Sequence, residues 1–143
     1  MADDAGARWY AAPYFLVADV TAAANHYRDV LGFHYDRLWG DPPGFCMVKR
    51  AGIVVMLNQV DGARPNPNRR ADPDPHAGEW DAYVWVDDAD ALHAELASRG
   101  AKIVRGLCDQ HYGCRDFEVD DLDGYRLCFG HDISAPREPL PAR

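Results

Sequence analysis

The fold is decided by a hairpin-like stretch, Phe117-Glu-Val-Asp-Asp-Leu-Asp-Gly-Tyr-Arg-Leu-Cys-Phe129, and by its earlier counterpart, Phe45-Cys-Met-Val-Lys-Arg-Ala-Gly-Ile-Val-Val-Met-Leu57. Each stretch has a glycine at its turn, and these two glycines, Gly52 and Gly124, are 72 positions apart. A period of this length that occurs twice indicates a duplicated module, because solenoid repeats are shorter and need at least three copies. Pockets prefer the junction of such units, so the repeat also predicts where a ligand binds.

The segments before the two hairpins repeat as well. Val17-Ala-Asp-Val leads into an amphipathic stretch that ends at Leu31-Gly-Phe33, and Val86-Asp-Asp-Ala leads into one that ends at Arg99-Gly-Ala101. Each half therefore reads as a strand, a helix and three strands. Because a helix must cover one face of its sheet, the other face is free to line a cavity. We predict an α+β fold in which two βαβββ modules form a shared concave cleft.

The domain boundaries follow from changes in composition. We assign the first module to residues 9–60 and the second module to residues 79–130. Residues 61–78 contain four prolines among Asn, Arg and Asp, which is typical of an extended linker. Residues 131–143 are also proline-rich, and we predict a disordered tail there.

Composition excludes several classes of function. The 143-residue chain has a net charge of −8, which argues against nucleic acid, because phosphate binding requires clustered Lys and Arg. The acidity is explained more simply by solubility, and it also suits a cationic ligand. No apolar run approaches the ~20 residues of a membrane span, and the N-terminus lacks the apolar core of a signal peptide. Four cysteines without a Cys-x-x-Cys pair predict a cytoplasmic protein with reduced thiols.

Two motifs carry a family resemblance. Tyr27-Arg-Asp-Val-Leu-Gly-Phe33 and the Asp-x-Asp-Gly turn at Asp121–Gly124 together resemble the vicinal oxygen chelate superfamily. This superfamily includes glyoxalase I, extradiol dioxygenases, fosfomycin-resistance enzymes and bleomycin-resistance proteins. The chain departs from the pattern at Leu122, where the family usually has proline. The resemblance covers about residues 9–130 and implies paired modules around a cleft, usually in a homodimer.

The resemblance also implies where a metal would be held. In the family's metalloenzymes four His, Gln or Glu ligands face the cleft, one in the first strand and one in the last strand of each module. The matching positions here are Ala12, Met56, Asp81 and Cys128. Alanine cannot ligate, and the Met thioether is unsuited to Mg, Mn or Fe. We therefore predict that the chain holds no metal and no other cofactor at this site.

An aromatic wall is the alternative to a metal centre. Strand alternation places Tyr83 and Trp85 on the same face as Asp81, and Tyr14 on the same face as Ala12. Such a wall suits a planar organic ligand, but these side chains could equally fill a closed interior. The predicted ligand-binding residues are Tyr14, Trp39, Met56, Asn58, Asp81, Tyr83, Trp85, His111, Arg126 and Cys128.

Individual ionisable residues admit two interpretations each. Asp81 is the candidate general base, or a carboxylate that attracts a cationic ligand, or a solvated residue at the start of a strand. Cys128 is a nucleophile only with a base nearby, and otherwise a buried inert thiol. His76 with Glu79 and Asp81 could form a new metal site, although their spacing matches no known signature. Arg115 and Asp116 are expected to orient their loop or to pair across the modules.

These observations lead to a hypothesis and an alternative. The hypothesis is a metal-independent protein of the glyoxalase and bleomycin-resistance type that binds a small molecule. Its ligand would be a planar or cationic organic molecule, an antibiotic or an aromatic metabolite, sequestered in the cleft. The alternative is a lyase, isomerase or dioxygenase of the same superfamily, with rearranged metal ligands or with Asp81 as a metal-free base. A protein that acts only through protein contacts has no specific support in the sequence.

Overall fold

The computed structural model describes residues 4–62, 64–69 and 78–134, and its two halves contain the same succession of elements. The first half consists of β1 (Tyr14–Leu16), α1 (Val20–Asp29), β2 (Leu38–Trp39), β3 (Phe45–Arg50) and β4 (Ile53–Asn58). The second half consists of β5 (Ala82–Trp85), α2 (Ala89–Ser98), β6 (Lys102–Asp109), β7 (Cys114–Asp120) and β8 (Arg126–Asp132).

The two sheets have the same topology. Their strand orders are β1-β4-β3-β2 and β5-β8-β7-β6, and in each the first two strands are parallel while the others are antiparallel. The N–H of Val17 donates to the carbonyl of Asn58, and the N–H of Val86 donates to the carbonyl of Gly130. Asn58 and Gly130 are therefore equivalent positions. The predicted α+β fold of two βαβββ modules is confirmed.

Both helices begin at an aspartate and cover one face of their sheet. Asp19 and Asp88 each accept a 3.0 Å hydrogen bond from the N–H three residues further on, which is the N-cap arrangement. The buried residues of the helices are Val20, Ala23, Ala24, Tyr27, Ala89 and Leu96. The opposite face of each sheet, which its helix leaves uncovered, is called the open face below.

The strand ends differ from the predicted ones. The first module was assigned from residue 9, but β1 begins at Tyr14, because Pro13 lacks an N–H group and cannot donate to the ladder. Trp9 and Tyr10 lie before it and are 83% and 85% exposed. At the other end, β8 continues to Asp132, two residues into the predicted tail.

The two modules pack against each other within one chain. The hydroxyl of Tyr27 on α1 donates to Asp121 in the turn between β7 and β8, and the rings of Phe15 and Tyr125 stack with centroids 4.1 Å apart. Phe15, Tyr27 and Tyr125 belong to one continuous apolar core that includes residues of both modules. Each open face is consequently directed away from this core.

The described part of the predicted linker is bound to the second module. The N–H of Asn66 donates to the hydroxyl of Tyr125, and the guanidinium of Arg69 donates to the carbonyls of Glu79 and Gly124, both at 2.6 Å. His76 lies outside the described residues. No helix in the described ranges is long and apolar enough to cross a membrane.

Candidate functional site

A fully buried carboxylate, Asp116, lies at the centre of the second module's open face. It accepts hydrogen bonds from the hydroxyls of Tyr83 (3.0 Å) and Tyr112, from the guanidinium of Arg105 and from the amide of Gln110 (3.2 Å). Burial alone would raise the pKa of Asp116, but the hydrogen bonds from Tyr112, Arg105 and Tyr83 outweigh it and lower this pKa. Asp116 is therefore an ionised group that organises the residues around it.

Gly130 makes this arrangement possible. A Cβ atom at this position would lie 2.1 Å from the hydroxyl oxygen of Tyr83 and 2.9 Å from Cβ of Asp116. Only a residue without a side chain allows Tyr83 to reach Asp116. At the equivalent position the first module has Asn58, whose amide donates instead to the hydroxyl of Tyr14.

Beside Asp116 lies an aromatic cavity of about 310 Å³, lined by Trp80, Tyr83, Trp85 and Tyr112. The ring of Tyr83 is 5.5 Å from that of Trp80 and 4.9 Å from that of Trp85. Trp85 is 65% exposed, so its ring borders solvent and does not belong to the core. The cavity therefore offers ring faces to a molecule that enters from outside.

The charges near the aromatic cavity leave a negative excess. Arg105 donates to Glu118 as well as to Asp116, so one guanidinium faces two carboxylates. Cys128 lies 3.9 Å from Arg105, and burial raises the pKa of its thiol well above the usual range. A neutral buried thiol is not a nucleophile, so the inert interpretation of Cys128 fits its surroundings.

Asp81 does not face the aromatic cavity. Its carboxylate accepts hydrogen bonds from the backbone N–H groups of Asn68 and Arg126, the latter at 2.7 Å, and its side chain is 6% exposed. Arg69 lies 3.5 Å from the same carboxylate and also contacts Asp120, which pairs with Arg126. Asp81 thus anchors the linker to the second module, and a side chain that is 6% exposed is not the solvated residue of the alternative interpretation.

The predicted residues of the first module lie apart from the aromatic cavity. Tyr14, Met56 and Asn58 share the open face of the first sheet, with Tyr14 opposite Met56 in the ladder. Trp39 lies on β2 with the guanidinium of Arg37 stacked 3.3 Å from its ring centroid. Tyr14 was predicted to belong to one wall with Tyr83 and Trp85. This is wrong for the aromatic cavity, which the second module lines alone.

A separate cavity of about 250 Å³ lies where the modules meet. Pro13 and Val54 line it from the first module, and Tyr83 and Trp85 line it from the second module. The predicted ligand residue His111 lies in the exposed turn beside Tyr112, with the two rings 5.2 Å apart. Of the ten predicted residues, Tyr83 and Trp85 line the aromatic cavity and His111 adjoins it.

Sequence reasoning missed the group at the centre of the site. Asp116 was expected to orient a loop or to pair across the modules, whereas it lies within β7 and binds four side chains of its own module. A signal was present, because Asp116, Glu118 and Asp120 alternate with apolar residues, which places three acidic side chains on one strand face. Arg115, by contrast, pairs on the surface with Asp90 and Asp109.

The four positions implied for a metal do not fit one. Ala12 has no ligand atom, Met56 offers only a thioether, and the carboxylate of Asp81 is engaged by backbone N–H groups. Cys128 has a thiol whose pKa is raised by burial, which opposes the thiolate that a metal requires. No chemistry through a metal at this site follows from these residues.

One other group of possible ligands occurs among the described residues: Asp88, Asp90 and His131, with ligand atoms within 4.8 Å of one another. His131 accepts a 2.7 Å hydrogen bond at Nδ1 from the N–H of Ala89, and Asp88 caps the same helix. Asp90 pairs with Arg115. All three side chains are thus engaged in holding the start of α2.

Comparison with known proteins identifies a family. A family profile described as "Glyoxalase/Bleomycin resistance protein/Dioxygenase superfamily" matches residues 10–129. No curated protein matches the chain.

Solved structures support the same fold. TioX from Micromonospora sp. ML1 is similar with a TM-score of 0.67 and 22% identity, over 88% of this chain and 100% of that one. A glyoxalase-related enzyme from Clostridium phytofermentans has a TM-score of 0.69 and 17% identity, over 88% and 96%. A glyoxalase/bleomycin resistance protein/dioxygenase from Nocardioides has a TM-score of 0.63 and 13% identity, over 97% and 95%.

Proposed function

This chain belongs to the glyoxalase/bleomycin resistance protein/dioxygenase superfamily, and from that premise we propose that it binds a planar organic cation in the aromatic cavity, without a metal. The observation that carries the proposal is the cavity of four aromatic rings next to a buried, ionised carboxylate. Ring faces stack on planar ligands, and they attract cations through their quadrupoles.

The hydrogen bonds of the cavity favour ring contacts over polar ones. Both tyrosine hydroxyls, Tyr83 and Tyr112, donate to Asp116 and so are not directed at a ligand. Burial, together with the hydrogen bonds to Asp116, raises the pKa values of these two hydroxyls, so both remain neutral. A ligand in the cavity therefore meets four uncharged rings with negative charge behind them.

Binding without turnover is the function that these residues support. A base, a nucleophile or a metal is needed for the lyase, isomerase or dioxygenase alternative. Asp81 is held by backbone N–H groups, and Cys128 is a buried thiol with a raised pKa. The other two implied metal positions, Ala12 and Met56, carry no suitable donor. Sequestration needs only a preformed pocket.

The experiment compares three probes of the same shape: 1-methylquinolinium as a planar cation, quinoline as a neutral analogue and 2-naphthoate as an anion. Calorimetric titration at pH 7.5 should show the order cation, neutral, anion in decreasing affinity. Trp85→Ala should weaken the cation by about threefold to tenfold, which corresponds to the ~0.5–1.5 kcal/mol of an aromatic contact. Trp9→Ala removes an exposed indole outside the cavity and should change nothing. Equal affinities for all three probes, or an unaffected Trp85→Ala variant, would overturn the proposal.

We further propose that the protein is a homodimer in which a partner covers the open face of the first module. On that face Tyr14 is 54% exposed and Trp39 is 42% exposed, with Met56 between the strands that carry them. Exposed aromatic patches of this kind favour association. Light scattering after gel filtration should give twice the chain mass, and Trp39→Asp should reduce it to the mass of one chain. A monomeric parent protein would refute the dimer and leave the ligand proposal standing.

A further inference from the structure

A third cavity, of about 340 Å³, shares Trp85 with the aromatic cavity, and we call it the junction cavity. One wall is the turn between β3 and β4 of the first module, with Arg50, Ala51 and Ile53. The opposite wall is α2 of the second module, with Ala91 and Glu95. Its volume lies within the range of about 300–1,000 Å³ in which small ligands bind. Trp85 is the one residue that lines both cavities.

The interior of the junction cavity is aliphatic and aromatic. Leu31, Phe33 and Phe129 are buried residues of the core that border it. Val84 and Leu92, which are half-buried, also belong to its apolar lining. A ligand would therefore place a compact apolar body here and would keep any charged group at the rim.

The charges at the rim are one guanidinium and three carboxylates. Arg50 donates two hydrogen bonds to Glu95, at 2.8 and 2.7 Å, and a third to the carbonyl of Leu31. This pair is therefore satisfied within the protein. Asp88 accepts a hydrogen bond as the cap of α2. Asp87 makes no hydrogen bond or ion pair with any residue in the described ranges, so its carboxylate is available to a ligand.

We propose that the junction cavity is a second binding site, separate from the aromatic cavity, for a small organic ammonium compound with an aliphatic body. The body would lie against Leu31, Phe33 and Phe129, and the ammonium group would pair with Asp87. The negative rim disfavours carboxylates and phosphates of the same size. A non-planar aliphatic ring does not stack, which separates this ligand class from the one proposed for the aromatic cavity.

The probe is cyclohexylmethylamine, which is protonated at neutral pH, with cyclohexylmethanol and cyclohexanecarboxylate as neutral and anionic controls. Amide chemical-shift titration of the full chain should give a dissociation constant of about 1 mM or tighter for the amine. The amide signals that the amine shifts should include those of β4, of β5 and of the start of α2. The two controls should bind more weakly, with the anion the weakest.

Two variants test the location independently. Asp87→Asn should weaken the amine by up to about fivefold, the value of one exposed ion pair, whereas Asp4→Asn removes an equal charge elsewhere and should have no effect. Ala91→Phe adds a ring at an exposed helix position that lines the cavity, and it should abolish binding. Tyr83→Phe, a change in the aromatic cavity, should leave amine binding intact. Equal binding of the amine and the carboxylate, or full binding by Ala91→Phe, would overturn the proposal.

Discussion

The hydroxyl of Tyr27, on the first helix, donates a 2.7 Å hydrogen bond to the carboxyl group of Asp121, which lies 94 positions further along the chain. The same carboxyl accepts the N–H groups of Asp123 and Tyr125 and so closes the turn between β7 and β8. This one group therefore joins the two modules and shapes the turn.

Asp121 should make stability depend on pH. Burial raises its pKa to about 6, and the three hydrogen bonds offset this only in part. Because the folded pKa exceeds the unfolded value of about 3.9, the folded state binds more protons between about pH 4 and pH 6. The contribution of this group to the free energy of unfolding is therefore present at pH 4 and falls by about 2–3 kcal/mol by pH 7.

The test is the pH dependence of urea unfolding in Asp121→Asn. An amide keeps the acceptor for the turn and cannot ionise. The free energy of unfolding of the variant, measured relative to that of the parent protein, should therefore rise by about 2–3 kcal/mol between pH 4 and pH 7. Asp36→Asn, at an exposed carboxylate, is the control and should run parallel to the parent. If the pH profile of Asp121→Asn also runs parallel to that of the parent protein, the raised pKa does not belong to Asp121.

Gly32 should tolerate alanine less well than Gly100, although both follow a helix with positive φ, +74° and +81°. At Gly100 a Cβ meets nothing within 4 Å, so Gly100→Ala should cost about 1 kcal/mol for the backbone alone. At Gly32 the Cβ would lie 2.2 Å from Nη1 of Arg50, which must then leave Glu95 and Leu31. Gly32→Ala should therefore cost about 1–2 kcal/mol more.

A double-mutant cycle checks the cause. In an Arg50→Ala background most of the extra cost of Gly32→Ala should vanish, since Nη1 of Arg50 is gone and only Oε2 of Glu95, at 2.9 Å, still lies close to the added Cβ. If the two glycine variants are equally destabilised by urea in the parent protein, the contact with Arg50 does not control this turn.

Asp116→Asn should be strongly destabilising. The amide cannot accept all four donors, and Arg105 keeps only Glu118 as a charged partner, so a loss of about 3 kcal/mol is expected. Asp90→Asn breaks an exposed pair with Arg115 and should cost less than about 1 kcal/mol. Chemical denaturation of both variants at pH 7 measures the difference, and similar costs would show that Asp116 is not the centre of a buried network.

Gly130→Ala should affect ligand binding more than stability of the sheet. The added Cβ would displace the hydroxyl of Tyr83 from Asp116 and turn its ring within the aromatic cavity. We expect a loss of about tenfold or more in affinity for 1-methylquinolinium, measured by calorimetry. Gly106→Ala, where a Cβ meets nothing within 4 Å, is the control on the same sheet. Unchanged affinity in Gly130→Ala would separate Tyr83 from the site.

Metal content gives a further test. Protein purified without added metal should carry less than one equivalent of Fe, Mn, Ni or Zn, because Ala12 and Met56 occupy two of the four implied positions. Elemental analysis measures this, and a chelator should leave the melting temperature unchanged. One bound ion per chain that the chelator removes, with a lower melting temperature, would contradict this.

The sequence predicted the modules well because their signals are local. The repeated strand and helix patterns, and the two hairpins around Gly52 and Gly124, depend on neighbouring residues only. Strand alternation predicted a shared face for Tyr83 and Trp85, and both side chains line the aromatic cavity. Such signals arise from the alternation of side chains and from their hydrogen-bonding capacity, so they can be recognised in a single sequence.

Only part of the site could be predicted, because its centre depends on contacts between strands that are distant in the sequence. Asp116 gains its role from Tyr83, 33 positions away, and from the missing side chain of Gly130. The hydrogen bonds of Asp81 could not be predicted, because its partners, Asn68 and Arg69, lie in a segment interpreted as an extended linker. The alternation of residues along a strand does not show whether a carboxylate such as Asp81 will accept hydrogen bonds from backbone N–H groups of another segment.

The unlike open faces of the two modules bear on ancestry. Ladder pairing makes Asp116 the counterpart of Phe45 and Glu118 the counterpart of Met47, since each lies opposite equivalent residues of the last strand. An unfused ancestor assembling from two identical halves would have had one sequence for both faces. Fusion into a single gene removes that constraint, so one open face can accumulate charged residues while the other remains apolar. In the present chain the charged residues of this pair of positions lie on the second module and the apolar ones on the first.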